Sequence, residues 1–168
     1  MGNPPPPPPP PGAEPQDTAR YEAWMQAKGK KLTKPREDTT LRIGDWGFYD
    51  HGAAPGQALD RAGIDKANHA IEPTEKGDWY AFLTTKGLDA DGALRRVAWL
   101  YRAAELTPES AAQMPGGAKV TAPTLTTGAD GTVTLQGWLV YPPNMSSPMR
   151  ITVRATKSGA SIQNESAK

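Results

Sequence analysis

Pro4, Pro5, Pro6, Pro7, Pro8, Pro9, Pro10 and Pro11 follow one another without interruption. Each proline ring holds φ near −65° and removes the amide donor, so the run can enter neither a helix nor a sheet ladder. Polyproline II is the conformation left to it, and at ~3.1 Å per residue the eight span roughly 25 Å. Gly12 to Gln16 supply a flexible exit. Residues 1–16 are read as an extended arm that lies in solvent or in a groove on a partner.

The remainder must build a core from a thin supply of large aliphatic side chains. The 168 residues contain 11 Leu, 5 Ile, 5 Val and 2 Phe against 18 Pro and 17 Gly. Such scarcity often accompanies disorder, but disorder also draws on high net charge, and here 19 basic and 18 acidic residues leave +1. Five Trp and five Tyr must therefore supply much of the buried area, at ~150–250 Å² each. The absence of cysteine excludes thiol nucleophiles, cysteine zinc sites and disulfides. No apolar run approaches the ~18 residues of a membrane span. The N-terminus lacks the basic and apolar regions of a secretory leader. A soluble chain is expected, working within a particle or a large complex. Balanced charge argues against strong attraction to nucleic acid.

Four segments are expected: the arm at 1–16, a short amphipathic helix and basic linker at 17–34, an α+β core at 35–157, and a polar tail at 158–168. Asp17 or Thr18 can cap a helix running to about Lys28, with Gly29 as its stop. Tyr21, Trp24 and Met25 form one apolar stripe on it. Lys28, Lys30, Lys31 and Lys34 then make a basic patch. Leu41 and Ile43 suggest a short strand, Gly44 to Gly52 an aromatic-rich loop, and Gln57 to Ala70 a weak helix. Gly77 to Leu83 reads as a short strand or a helix start.

The clearest helix is expected over about 91–106, beginning near Asp89 or Asp91 with Asp91 where the N-cap belongs, and with Leu94, Val97, Ala98, Leu100, Tyr101 and Ala104 on its buried arc. Arg95, Trp99 and Arg102 project on the other side. Val120–Thr127, Thr132–Tyr141 and Met149–Thr156 are strand-like, with Ala129-Asp130-Gly131 as a tight turn. The predicted fold is α+β: a small antiparallel meander over about 120–156 packed on the main helix, with long irregular segments elsewhere. Ser161-Ile162 is expected to add at most a short edge strand.

Catalytic patterns are weak. His51 and His69 stand 18 residues apart with no second close ligand, which is no metal spacing. Asp89-Ala90-Asp91-Gly92 resembles the middle of a calcium loop, but Gly87 and Ala98 fall where its first and last carboxylates belong. No phosphate-binding glycine loop and no nucleophile elbow occurs. Asp45 and Asp50 flank aromatics without further support for acid–base chemistry. Neither an enzyme nor a cofactor is expected. Arg95, Arg96, Trp99 and Arg102 match an arginine-framed tryptophan at a protein interface.

The reading is a structural or assembly protein, an accessory subunit of a multisubunit particle such as a viral capsid or tail or another large complex. Its expected partners are protein subunits, met through Pro4 to Pro11, through Tyr21, Trp24 and Met25, and through Arg95, Trp99 and Arg102. Two alternatives stand beside it. One is a polyproline ligand for a profilin, SH3, WW or EVH1 groove. The other is a small carbohydrate-binding domain using Trp46, Trp79 and Trp138.

Overall fold

The computed structural model describes residues 17–30, 34–51, 60–113, 119–141 and 148–166, so the proline run, Lys31 and residues 57–59 lie outside the description. The chain is α+β, with two antiparallel sheets. In order it runs α1 (Ala19–Ala27), β1 (Pro35–Glu37), a 3-10 turn (Thr39–Leu41), β2 (Gly47–His51), β3 (Ala62–Ile64), β4 (Ala70–Ile71), α2 (Trp79–Leu83) and α3 (Ala90–Leu100). It continues through β5 (Ala104–Leu106), α4 (Pro108–Ala112), β6 (Thr124–Thr127), β7 (Val133–Val140), β8 (Met149–Thr156) and β9 (Gly159–Ser166).

The larger sheet is the predicted meander, extended at both ends. β6, β7, β8 and β9 pair in succession, and β5 joins β7 as well. β5 and β6 share one edge of β7: β5 lies opposite residues 138–140 and β6 opposite 133–136. Val133, Leu135 and Leu139 of β7 and Ile151, Val153 and Ala155 of β8 face the core that Leu94 and Val97 of α3 enter from the other side. This period-two pattern is what one buried and one wet face require. The turn between β6 and β7 is closed by Gly128 N to Thr132 O (2.8 Å), with Gly131 at φ 85° and the Asp130 carboxylate accepting from Thr132 N at 3.0 Å. Gly137 stays in register because Leu94 occupies its inner side: a Cβ there would lie 2.7 Å from Leu94 Cδ1.

The smaller sheet, in the order β1-β2-β3-β4, corrects two expectations. The aromatic loop at 44–52 contains the wholly buried strand β2. Phe48 and Tyr49 point to opposite faces and both are buried, so no wet face remains to produce alternation. The weak helix at 57–70 is instead, over its described part, a hairpin of β3 and β4. The Asp65 carboxylate turns the chain there by accepting from Ala67 N (3.0 Å) and His69 N (2.8 Å), and Asn68 adopts a left-handed φ of 67°. Gly63 sits opposite Phe48, whose ring takes the space a side chain would need.

Two further differences concern ends. The expected polar tail forms the eight-residue strand β9, paired with β8 along its whole length, with only Ala160 and Ile162 half-buried toward the core. An edge strand with one solvated face reads as polar. The main helix stops at Leu100 rather than about 106, so Ala104 belongs to β5. Asp89 rather than Asp91 caps its start, accepting from Gly92 N at 2.7 Å, and Asp91 lies within the first turn. Its end is a Schellman motif: Arg102 N donates to Trp99 O (3.1 Å), Ala103 N donates to Ala98 O (2.9 Å), and Arg102 takes φ 57°. α1 ends in the same motif, with Gly29 at φ 70° in the equivalent place. A left-handed backbone costs an L residue about 1 kcal/mol more than glycine, and α3 carries that cost at Arg102.

The Gly137–Leu94 contact gives a test of the core. Gly137→Ala is expected to destabilise the chain by about 1–3 kcal/mol through overpacking. The double variant with Leu94→Ala should lose clearly less than the sum of the two single losses in urea unfolding. Strictly additive losses would show that the two positions do not meet.

Candidate interaction surface

α1 is too short to persist alone and needs a surface to lie on. It finds that surface within its own chain. Tyr21 and Met25 are 0% exposed and cluster with Tyr49, Ala62 and Ile64 on one face of the smaller sheet. The Tyr21 ring stacks on Tyr49 (centroids 5.6 Å, 8° between planes), and its hydroxyl donates to the Asp60 carbonyl. Lys28 pairs with Glu72 and Lys30 with Asp60, both at 2.6 Å, so the basic patch helps to fasten the helix. Tyr21 and Met25, expected at a partner, therefore offer no surface to one. Trp24 alone of the stripe stays partly exposed, 6.0 Å from the Tyr21 ring and with Lys28 Nζ 3.9 Å over its own.

The other face of the smaller sheet carries a different chemistry. Trp99, in the last turn of α3, is half-buried, with Phe48 edge-on beneath it (6.2 Å, 90°). The Arg61 guanidinium lies 4.5 Å over the Trp99 ring, and its Nη1 donates to the Trp99 carbonyl at 2.6 Å. Asp50 sits below, 3.0 Å from Arg36 Nε and 3.8 Å from Arg61 Nε. That Arg61 Nε is buried and makes no hydrogen bond. Desolvation lowers the Arg61 pKa from its ordinary value; Asp50 opposes that, while Arg102 and Arg36 add to it as like charges. Arg95 reaches Glu105 at 3.4 Å.

The charges are layered. The side chains of Arg36 and Arg95 are 57% and 60% exposed, whereas those of Asp50 and Glu105 are 12% and 32% exposed. Arg102 is also exposed. Two shallow clefts flank Trp99. One of ≈ 460 Å³ is lined by Leu41, Arg61, Arg95, Arg102 and Glu105 among others, and one of ≈ 320 Å³ includes Arg36, Asp38 and Asp50.

The structure thus brings Arg95, Trp99 and Arg102 into one surface and adds Arg61 and Arg36, which the sequence reading missed. Arg61 lies 38 residues before Trp99, and no spacing rule links the two. Arg96 is removed from the set. It is buried and donates to Leu41 O (2.7 Å), Gly92 O (2.9 Å) and Arg42 O (3.3 Å), tying α3 to the turn after β1.

The other candidates do not converge. Trp46 (3% exposed) and Trp79 (0%) belong to the core and form no platform; Trp138 is half-buried, its Nε1 donating to Thr121 Oγ1 at 3.2 Å. His51 lies 3.4 Å from Asp60 and His69 2.8 Å from Asp65, in separate places. Among the described residues no three His, Cys, Asp or Glu side chains gather as a metal site, and no helix is long and apolar enough to cross a membrane. No family model, curated protein or solved structure matches the chain.

The buried tyrosines set an alkaline limit. Burial raises the Tyr21 pKa well above its ordinary value of 10, with Asp60 and Asp50 adding to the shift, and it pushes Tyr101 up to about 12. A raised folded-state pKa gives stability that is present below the unfolded pKa and lost as pH climbs through the folded one. Stability should therefore be flat up to about pH 10 and fall above it. Tyr21→Phe should shrink the Tyr21 part of that fall in urea melts at pH 9 to 11.5. An unchanged slope would mean that the Tyr21 hydroxyl is not buried in the folded chain.

Proposed function

We propose that this chain is an interaction protein, an accessory subunit of a larger protein assembly, that meets its partner through the Trp99 surface and through the proline-rich arm. The observation that carries the reading is the placement of Trp99. In a chain so poor in large apolar side chains, Trp46 and Trp79 are spent on the core. Trp99 is held at the surface under the Arg61 guanidinium, between two clefts rimmed by arginine. Tryptophan and arginine are the side chains most enriched among residues that dominate protein–protein affinity. The support for the arm is its sequence: a pre-stiffened rod loses little conformational freedom on docking. Asp17, where the arm meets the folded body, donates its amide to Glu37 at 3.3 Å.

The native mass of the untagged protein from its source tests the reading. Wild type is expected in a particle much heavier than 18 kDa. The Trp99→Ala chain and the chain lacking residues 1–16 should each shift toward free monomer while keeping a cooperative melt. A wild-type monomer at its working concentration would overturn the proposal. Binding of the isolated 1–16 peptide as tight as that of the whole chain would replace it with the polyproline-ligand reading.

A further inference from the structure

We infer that the outer edge of β9 pairs antiparallel with the same edge of a second copy of this chain, continuing the larger sheet through a two-fold axis at Ile162. This goes beyond the Trp99 surface and the arm and does not depend on them. β9 pairs with β8 along its length and with no other described strand. In an antiparallel ladder alternate residues turn their backbone groups toward the neighbour and away from it. The Ile162 amide donates to Glu75 Oε1 at 3.0 Å. Ala160, Ile162 and Asn164 are therefore the residues whose backbone faces outward.

Edge strands are commonly protected by proline, a bulge or an inward-pointing charge. β9 carries none of these. It contains no proline, and its register with β8 is unbroken from Gly159 to Ser166. Glu165 is its single charged residue, and Arg150 holds it.

Glu75 marks the place of the neighbouring strand. Its carboxylate supplies, at the middle of the edge, the acceptor that a strand carbonyl would supply. A groove of ≈ 410 Å³ lies beside it, lined by Glu75, Tyr80, Lys157 and Gly159 among others. Glu75 is exposed. An incoming carbonyl replaces one acceptor on Ile162 with another, and the released carboxylate returns to water.

A second copy fits this edge because the strand is complementary to itself. With the axis at Ile162, Ala160 faces the second copy's Asn164, Ser161 faces its Gln163, and Glu165 faces its Gly159. The whole strand is used, and the two copies present one patch to each other as two-fold symmetry requires. The two Glu165 side chains stand at opposite ends and do not meet. Each instead falls beside the second copy's Lys157, two residues before Gly159 and exposed. Opposite charges across a strand pair are favourable.

The test uses the purified full chain. One strand pair is a small interface, so sedimentation between about 5 and about 200 µM should show monomer passing into dimer. Glu75→Ala, which removes the competing acceptor, should tighten the dimer about fivefold or more. Lys157→Glu should weaken it about fivefold. Asn164→Pro should abolish it with a cooperative melt retained, because the amide it removes faces away from β8. The chain has no cysteine, so introduced thiols report the register. Under mild oxidation an equimolar mixture of Ser161→Cys and Gln163→Cys chains should cross-link, whereas Glu165→Cys alone should not, its two thiols lying beyond disulfide reach.

A wild-type chain that stays monomeric throughout, or a dimer indifferent to Glu75→Ala and Asn164→Pro, would overturn the inference. So would cross-linking of Glu165→Cys as efficient as that of the mixture. Cross-linking of Ser161→Cys to a different protein in the native particle, with no dimer of the purified chain, would assign the edge to a foreign strand and overturn the second copy. The dimer is read on the purified chain and the Trp99 surface on the native particle, so either can fail alone.

Discussion

β2 has to bury both of its faces, and the rest of the molecule is arranged around that demand. Every residue from Gly47 to His51 is buried. Tyr49 faces α1, where Tyr21 stacks on it. Phe48 faces the other way and meets Phe82 and Trp99 edge-on at 6.0 and 6.2 Å, with the Arg96 guanidinium 5.8 Å from its ring. The smaller sheet is therefore a middle layer between α1 and the core of α2, α3 and the larger sheet. The same ring that holds the layers together supports Trp99 from beneath and keeps its upper side turned to Arg61 and solvent.

This arrangement redistributes the surface available to partners. Without β2 and β3, the stripe of Tyr21 and Met25 would be free to bind elsewhere. With them, the first helix becomes a cover for its own sheet, and partner-facing chemistry moves to the C-terminal turn of α3. Arg95 and Trp99 reach that turn as neighbours on one helix, and Arg102 arrives because the chain turns left-handed there. Arg36 comes from β1 and Arg61 from the residue just before β3, gathered by their common contact with Asp50. The surface exists only when the sheet is docked, so fold and candidate function share one joint.

How much of this was legible in the sequence follows from which side chains face water. β7 and β8 each keep a solvated face, so their alternation could be read, and the Asp130-Gly131 turn marked the hairpin before β7. The stop at Gly29 and the approximate start of α3 were legible because glycine and capping aspartates are local signals, although the cap is Asp89 rather than Asp91. β2 and β3 were not, since burial on both faces erases periodicity. The end of α3 was hidden because the left-handed residue is Arg102 rather than glycine. β9 was mistaken for a tail because its outward positions are polar. Arg95 and Trp99 could be paired from helical spacing, whereas the roles of Arg61, Arg36 and Asp50 depend on tertiary pairing that no local pattern encodes. The stripe on α1 showed that the helix needs a partner surface but not that its own chain supplies one.

The claim that Phe48 joins the smaller sheet to α3 is tested most directly by native-state hydrogen exchange on Phe48→Leu, a substitution that shortens the reach of the ring while keeping an apolar side chain. The account predicts that amides of β2 and β3 and of the last turn of α3, around Trp99 and Tyr101, lose protection together and by similar amounts. Loss confined to the smaller sheet, with the end of α3 as protected as in wild type, would contradict it.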